Sequence, residues 1–332
     1  MKCNYFEGKT ILLAMPNHFG LPQRFKENLE HLGFKVFLLQ STTTSIPLKD
    51  KIIHGYKKIF LNDRTHKPTI KNKISARAHL QQIEAIPAVD YALFIRPDLF
   101  DIEVVKRAKQ IAGKVVAYQW DGLRRYPLAQ QYISLFDDFY VFDKTDLSIS
   151  SQLKHTTNFY FDDISSEAPI IPNSVFFVGT YMKDRIPLLH KIITQIEKNG
   201  LVPNMFLVSD KKRDLPNGIT LLSEGFSFKE SIIKMQAAHY VLDLHNPIHN
   251  GLSFRTFESI GYQKKLITNN ILVKEYDFYN PKNIYVIEGA SFEGFETFVK
   301  TPYEPIEATI REKYSFSGWI YEILKWRKNY YL

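Results

Sequence analysis

The chain has 332 residues, 45% of them apolar and 14% aromatic, which is enough for two α/β domains with a core each. Its single cysteine excludes a disulfide framework and cysteine-based zinc sites, and no stretch approaches the roughly 20 apolar residues that span a bilayer. The 43 basic and 35 acidic residues give a net charge of +8, which suits phosphorylated ligands, anionic membranes and nucleic acids alike and therefore selects none of them.

The start of the chain predicts the alternating strands and helices of a parallel sheet. A strand over 9–15 leads through the loop Pro16–Gly20 to a helix over 21–32 and a second strand over 35–40. No Gly-x-Gly-x-x-Gly pattern follows the first strand, which argues against a nicotinamide-binding domain. His18 lies in this first loop, where a solvated surface histidine is the ordinary alternative to a functional one.

Four more strands are predicted in this half, over 90–96, 114–121, 136–143 and 155–161. One of them ends on Asp121, at the carboxyl edge where open α/β sheets bind ligands, and Arg124 and Arg125 follow it. A carboxylate beside two arginines is expected to be ionised, so Asp121 could act as a general base or bind sugar hydroxyls. The alternative is a structural aspartate that caps the arginine pair or a turn. We interpret the aspartate pairs 137–138 and 162–163 as turn and cap residues.

The segment 162–173 has the serine and proline content of a linker, and the strand and helix pattern restarts beyond it. We therefore predict domains over 1–165 and 166–312, with a helical segment over 313–332. The second domain opens with a strand that runs into Gly179 and a helix with Arg185 near its start. Such a junction exposes free backbone N–H groups and a partial positive charge, which favour an anion.

A second junction of this kind follows a predicted strand over 240–244. The loop His245–Asn250 leads to Gly251, which opens a helix with Ser253 as its N-cap. Gly261 is predicted to end that helix before the chain resumes a strand.

Two charged side chains lie on this helix, Arg255 on its first turn and Glu258 one turn later, and Gly-x-x-Lys-Lys-Leu-Ile-Thr-Asn follows. This set resembles the donor-binding segment in the C-terminal domain of GT-B glycosyltransferases, and most of all their spore-maturation and surface-polysaccharide branches. The alternative is a generic βαβ unit with a capped helix.

In the enzymes that the chain resembles, the helix start holds the nucleotide phosphates and the glutamate holds the ribose hydroxyls. The resemblance implies a donor site made of Gly179, Arg185, Ser209, Phe226, Asn250, Gly251, Leu252, Ser253, Arg255 and Glu258. Phe226 would stack on the base, unless it only packs under its own loop. A surface ion pair is the alternative for Arg255 and Glu258.

The resemblance implies an α/β fold of two Rossmann-like domains facing a cleft, the first for the acceptor and the second for the donor, with the last helix crossing back. The expected reaction moves a sugar from a nucleotide-activated donor to a hydroxyl of a glycan or glycolipid, in assembly of capsule, lipopolysaccharide or exopolysaccharide. No cofactor or metal is expected. A hexosyltransferase and a transferase of CMP-sugars both fit, and a sugar-nucleotide epimerase or a catalytically silent binding module of the same fold are the rivals.

For the base that deprotonates the acceptor hydroxyl, the first candidate is Asp121, and the others are His18, His245 and His249. The last two lie just before the predicted phosphate site. They could instead hydrogen-bond the phosphate or sugar of the donor.

The last helix is aromatic and basic, and its apolar side holds Trp319, Ile320, Ile323, Leu324, Trp326 and Arg327. An interfacial membrane anchor has this composition, and a helix packed into the protein is the alternative. We expect Trp319 to pack and Lys325, Arg327 and Lys328 to make weak, salt-sensitive contact with anionic lipid. The expected location is cytoplasmic, peripheral at the inner face of the plasma membrane, with no nucleic-acid partner.

Overall fold

The computed structural model describes residues 6–39, 66–165, 168–245, 247, 250–289 and 291–324. Contacts divide them into two compact units, each built on a parallel six-stranded sheet. The first unit holds the described residues up to Thr157, with Asn250 and Ile320–Leu324, and the second holds those of Asn158–Pro247 and Gly251–Trp319. The expected α/β fold of two Rossmann-like domains is confirmed. The contacts divide the chain ahead of the predicted linker, and the predicted domain bounds stay a prediction.

The first sheet has the strand order β2-β1-β3-β4-β5-β6. Its strands are β1 (Thr10–Ala14), β2 (Lys35–Leu39), β3 (Val89–Ile95), β4 (Ala112–Gln119), β5 (Asp138–Val141) and β6 (Leu153–His155). The helices described in this unit are α1 (Leu21–His31), α2 (His66–Glu84) and α3 (Ile102–Ile111). The strands are apolar along most of their length because helices and loops cover both faces of a parallel sheet.

Two sequence-based expectations for this half are wrong. The strand predicted over 155–161 lies instead at Leu153–His155, because the apolar run that suggested it forms an aromatic cluster, in which the Phe159 ring lies 5.5 Å from that of Phe161. Asp138 is not a turn residue but a buried part of β5, paired with Lys114 at 2.8 Å and with Lys154. Burial acts to raise the pKa of Asp138, but the two lysines bring it below its ordinary value.

The second sheet has the order β12-β11-β10-β7-β8-β9. Its strands are β7 (Ile171–Thr180), β8 (Val202–Val208), β9 (Ile219–Leu222), β10 (Ala238–Asp243), β11 (Lys265–Thr268) and β12 (Ile284–Val286). The helices described here are α4 (Ile186–Lys198), α5 (Phe228–Gln236), α6 (Phe254–Gly261), α7 (Phe295–Lys300), α8 (Ala308–Lys313) and α9 (Phe316–Leu324). Because β10 pairs with β7, the loops that follow these two strands leave the same edge of the sheet.

Gly261 is the last residue of α6 and serves close packing rather than a left-handed helix end. A Cβ atom at this position would lie 2.2 Å from the ring of the buried Tyr160. The left-handed residue after the helix is Gln263, with φ of 53°. The glycine therefore lets the helix end approach an aromatic ring.

The described part of α9 confirms the packing of Trp319, which is 1% exposed and lies 4.4 Å from the Phe159 ring, centroid to centroid. The contacts assign Phe316–Trp319 to the second unit and Ile320–Leu324 to the first. Trp326, Lys325, Arg327 and Lys328 lie outside the described residues. Within the described ranges, no helix combines the length and apolar character that a membrane span needs.

Candidate functional site

The junction of β10 and α6 is built around Asp243, which ends the strand. Its buried carboxylate accepts a hydrogen bond from the Thr256 hydroxyl at 3.1 Å, on the first turn of the helix. Burial raises the pKa of Asp243, while the Ser253 hydroxyl and the charge of Arg255 oppose that rise. A carboxylate therefore already lies at this helix start, so a bound phosphate needs cations nearby.

The backbone at the start of α6 is held in place by two asparagine side chains. Asn158 donates to the Leu252 carbonyl at 2.9 Å, and Asn270 donates to the Gly251 carbonyl at 3.1 Å. Ser253 occupies the N-cap position, as predicted, but its side chain makes no capping hydrogen bond. The first N–H groups of a helix lack intrahelical partners, so this fixed and uncapped turn keeps donors for an anion.

Arg185 connects the junction of β7 and α4 to the junction of β10 and α6. It lies at the start of α4, and its Nη2 donates to the His245 carbonyl at 3.3 Å. Its buried Nε has no hydrogen-bond partner among the described residues. Burial lowers the pKa of Arg185, and the charge of Asp243 opposes that effect. The two junctions that the sequence predicted separately thus meet in one place.

Arg255 and Glu258 form an ion pair in which Glu258 is buried and Arg255 is half-buried, not the surface pair that is the alternative. The nearest guanidinium nitrogen is 3.3 Å from Glu258 Oε2, and the guanidinium lies over the Phe176 ring and 3.5 Å from the Ser231 hydroxyl. Burial raises the pKa of Glu258; Arg255 opposes this and Asp243 adds to it. Oε2 accepts no hydrogen bond within the described part of the chain, since the arginine contact is not aligned as one.

The loop between β10 and α6 is described only in part. The His245 N–H donates to Asn269 Oδ1 at 2.7 Å, and the roles expected for its imidazole stay predictions. His249 lies outside the described residues. Asn250, assigned to the first unit, donates its N–H to Asp143 Oδ2 at 2.9 Å.

Other predicted donor residues already have protein contacts. Ser209 Oγ accepts a hydrogen bond from Arg213 Nε at 3.1 Å. The Phe226 ring packs edge-on against Phe206, 4.9 Å between centroids, and the Lys234 ammonium lies 4.8 Å above it. The structure thus shows the packing that is the alternative role for Phe226. A nucleotide base stacked on Phe226 would use the same ring that already contacts Phe206. Gly179 lies beside the Phe177 ring, and a Cβ atom at this position would lie 3.1 Å from that ring.

The first unit has a second polar cluster at the carboxyl edge of its sheet, organised by the buried Arg96. This arginine has a left-handed backbone, with φ of 57°, and donates from Nε and Nη2 to the two carboxylate oxygens of Asp98, each at 2.8 Å. Nη1 donates to Asp121, and the guanidinium lies 3.8 Å from the Tyr126 ring centroid. Burial acts to lower the pKa of Arg96, but its two carboxylate partners raise it well above its ordinary value.

His18 and Asp121, predicted independently, are brought close to each other by the strand order. They follow β1 and β4, which flank the strand that precedes Arg96. Desolvation and the charge of Arg96 lower the pKa of His18, and Asp121 opposes that effect. The structure shows an ion pair of Asp121 with Arg96, a partner that the sequence did not indicate. A neutral imidazole beside a carboxylate can accept a proton.

The fold is similar to that of solved glycosyltransferase structures. A trehalose-phosphate synthase from Burkholderia xenovorans matches with a TM-score of 0.59 at 10% identity, over 96% of this chain and 99% of that one. A sucrose-phosphate synthase from Thermosynechococcus elongatus matches with a TM-score of 0.53 at 10% identity, over 96% and 98%. An alpha-glucosyltransferase matches with a TM-score of 0.51 at 12% identity, over 95% of each chain. The chain has the GT-B fold. No family model and no curated protein matches it.

Sequence reasoning missed Asp243 and Arg96 as organising residues. Each was visible only as a charged residue at the end of an apolar strand, and that position is the signal that could have singled them out. In the described ranges, no three histidine, cysteine, aspartate or glutamate side chains lie close enough together to hold a metal ion.

Proposed function

We propose that the chain is a glycosyltransferase that moves a sugar from a nucleotide-activated donor to a hydroxyl group. The observation that carries the proposal is the cluster at the ends of β7 and β10. Two of its buried polar atoms, Arg185 Nε and Glu258 Oε2, have no hydrogen-bond partner among the described residues. A buried donor and a buried acceptor of this kind match a ligand that carries both phosphate oxygens and hydroxyl groups.

The charges of the cluster favour the same ligand. Arg185 and Arg255 face two carboxylates, Asp243 and Glu258, whose pKa values are raised by burial. An approaching phosphate raises these pKa values further, so protonation of a carboxylate releases an arginine charge for the ligand. Arg185 is the better phosphate candidate, because Arg255 is engaged with Glu258 and its neighbours.

The fold comparisons make uridine nucleotides the first donors to test. The trehalose-phosphate synthase is described as UDP-forming, and the alpha-glucosyltransferase as a complex with UDP-glucose and DNA. For this chain we propose a glycan or glycolipid acceptor and a role in surface-polysaccharide assembly, on the resemblance of its Arg255 and Glu258 segment to that branch. The proposed reaction uses no cofactor or metal ion.

In the proposed reaction the acceptor oxygen attacks the anomeric carbon as the bond from that carbon to the donor phosphate breaks. The electron pair of that bond leaves with the nucleotide, whose negative charge Arg185 and the start of α6 stabilise. Asp121, held by Arg96, is the proposed base for the hydroxyl proton, and His18 beside it is the second candidate.

A thermal-shift panel of UDP, GDP, dTDP and CMP, followed by a donor-hydrolysis assay, tests the proposal. A nucleotide-dependent shift together with sugar release supports transfer. Binding without turnover on any acceptor indicates a silent module, and interconversion of the donor sugar without transfer indicates an epimerase. No response to any of the four nucleotides would refute the donor site.

We also propose weak contact with anionic membrane through Lys325, Arg327 and Lys328. Each cation near such a surface contributes about 1 kcal/mol, which salt screens. The chain should sediment with anionic liposomes at low salt and be released at high salt. If the chain does not bind the anionic liposomes at low salt, the proposed membrane contact is refuted.

A further inference from the structure

The loop after β1 holds an aromatic side chain in a conformation that disfavours it. The Leu21 N–H donates to the His18 carbonyl at 2.9 Å, closing a tight turn, and both central residues have positive φ, 49° at Phe19 and 79° at Gly20. Two positive φ values define a type I′ turn, which prefers asparagine followed by glycine. The glycine is present, but the first central position carries a bulky aromatic residue, which is an outlier there.

Packing does not explain this choice, since Phe19 is 67% exposed. A large apolar side chain exposed on a strained backbone contributes little to folding, and such strain tends to persist where it serves function. The same turn carries His18, one of the two candidates for the base.

This turn also forms one wall of a cavity of about 290 Å³. The lining combines polar and apolar side chains with the backbone of Gly20, and its residues are Met15, Asn17, Gly20, Pro22, Gln23, Leu38 and Leu39. Ligand pockets usually range over roughly 300–1,000 Å³, so this one suits a single small ring better than a long chain. Asn17 and Gln23 offer amide groups to hydroxyls, and the apolar residues offer a surface to C–H groups.

We infer that this cavity and the exposed ring of Phe19, whose chain neighbour Gly20 lines the cavity, form an acceptor subsite that binds a pyranose ring. The C–H-rich face of a pyranose ring carries a weak positive charge, and the negative face of an aromatic ring attracts it. The hydroxyls at the edge of the sugar match the amides of Asn17 and Gln23. This inference rests on the proposed function and narrows its acceptor to one with a sugar ring.

The test measures binding of three probes by saturation-transfer NMR: methyl β-galactopyranoside, methyl α-glucopyranoside and hexan-1-ol. Wild type, Phe19→Asn and Phe19→Trp are compared with Val202→Thr, a control that removes another exposed apolar side chain, 53% exposed at the start of β8. Phe19→Asn should weaken glycoside binding about five- to tenfold, while Phe19→Trp and the control retain it. The urea midpoint of Phe19→Asn should equal or exceed that of wild type, because asparagine fits the turn.

Equal affinity of wild type and Phe19→Asn for both glycosides would overturn the inference, as would glycosides that fail to bind. Preferential binding of hexan-1-ol would overturn it in favour of an apolar chain. A lower urea midpoint in Phe19→Asn would mark the ring as structural. Failure of the proposed function is distinguishable: the nucleotide panel then gives no shift, while glycoside binding still depends on Phe19.

Discussion

Replacing Glu258 with glutamine tests the donor site at a deeply buried charged residue. The side chain is 3% exposed, and its Oε2 accepts no hydrogen bond among the described residues, so a bound ribose would find a prepared acceptor. Glutamine keeps the size of the side chain but removes its charge and offers one acceptor oxygen in place of two. Hydrogen bonds to a charged group contribute about 1.5–3 kcal/mol, so Glu258→Gln should weaken nucleotide binding by about 10- to 150-fold.

The pH dependence of stability in the same variant can also be predicted. Because the pKa of Glu258 is raised in the folded protein, there is a pH interval in which its side chain is protonated in the folded protein and ionised in the unfolded chain. The wild type therefore loses stability as pH rises from the unfolded value, about 4.3, through the folded value. Glu258→Gln has no carboxyl group to ionise at this position, so it should lose less stability over that interval. Its melting temperature at pH 7 should differ little from that of wild type.

The assay pairs isothermal titration of UDP, or of whichever nucleotide the panel selects, with thermal unfolding from pH 4 to pH 8. Glu288→Gln is the matched control, since Glu288 is 59% exposed and paired with Lys274 at the surface, where a salt bridge is worth about 0–1 kcal/mol. Unchanged nucleotide affinity in folded Glu258→Gln, with a clear loss of melting temperature, would refute the reasoning and mark Glu258 as a structural partner of Arg255.

Four further changes have expected outcomes. Arg185→Ala should weaken nucleotide binding by at least about tenfold in titrations, with melting nearly unchanged, because it removes a charge-assisted phosphate contact; equal affinity would exclude that contact. Asp121→Asn should lower the transfer rate by about 10²–10⁴-fold while nucleotide binding persists, and surviving activity would make His18 the residue to test next. Gly261→Ala should destabilise the fold by about 1–3 kcal/mol in urea unfolding, since its Cβ would overlap the Tyr160 ring, and an unchanged midpoint would contradict that packing. UDP affinity should fall as pH rises from 6 to 8 if binding protonates a buried carboxylate, and a flat profile in a buffer-corrected titration would contradict such proton uptake.

Several features of the candidate donor site could be predicted from the sequence because they are local. The spacing of Arg255 and Glu258 places both on one side of a helix, and the structure shows them in contact. The glycine before that helix and Ser253 at its start predicted where it begins to within a few residues. Apolar runs predicted most of the strands, since a strand buried on both faces of a parallel sheet is apolar throughout.

Local patterns were insufficient where packing decides the role of a residue. The local pattern predicts a helix end at Gly261, and the helix does end there, but the need for glycine depends on Tyr160, about a hundred residues earlier in the chain. The apolar run near Phe159 has the composition of a strand, yet the Phe159 ring packs against those of Phe254 and Trp319. Such choices depend on partners distant in sequence.

The residues that end strands and begin helices could be read from local sequence, because hydrophobic period, glycine and capping residues act over a few positions. Which of those ends meet depends on how the strands are ordered in the folded sheets. Strand order brings β10 beside β7, which joins Arg185 to the His245 carbonyl, and places β3 between β1 and β4, which sets Arg96 between His18 and Asp121. Pairing between distant strands depends on the packing of whole faces, which no local pattern along the chain specifies.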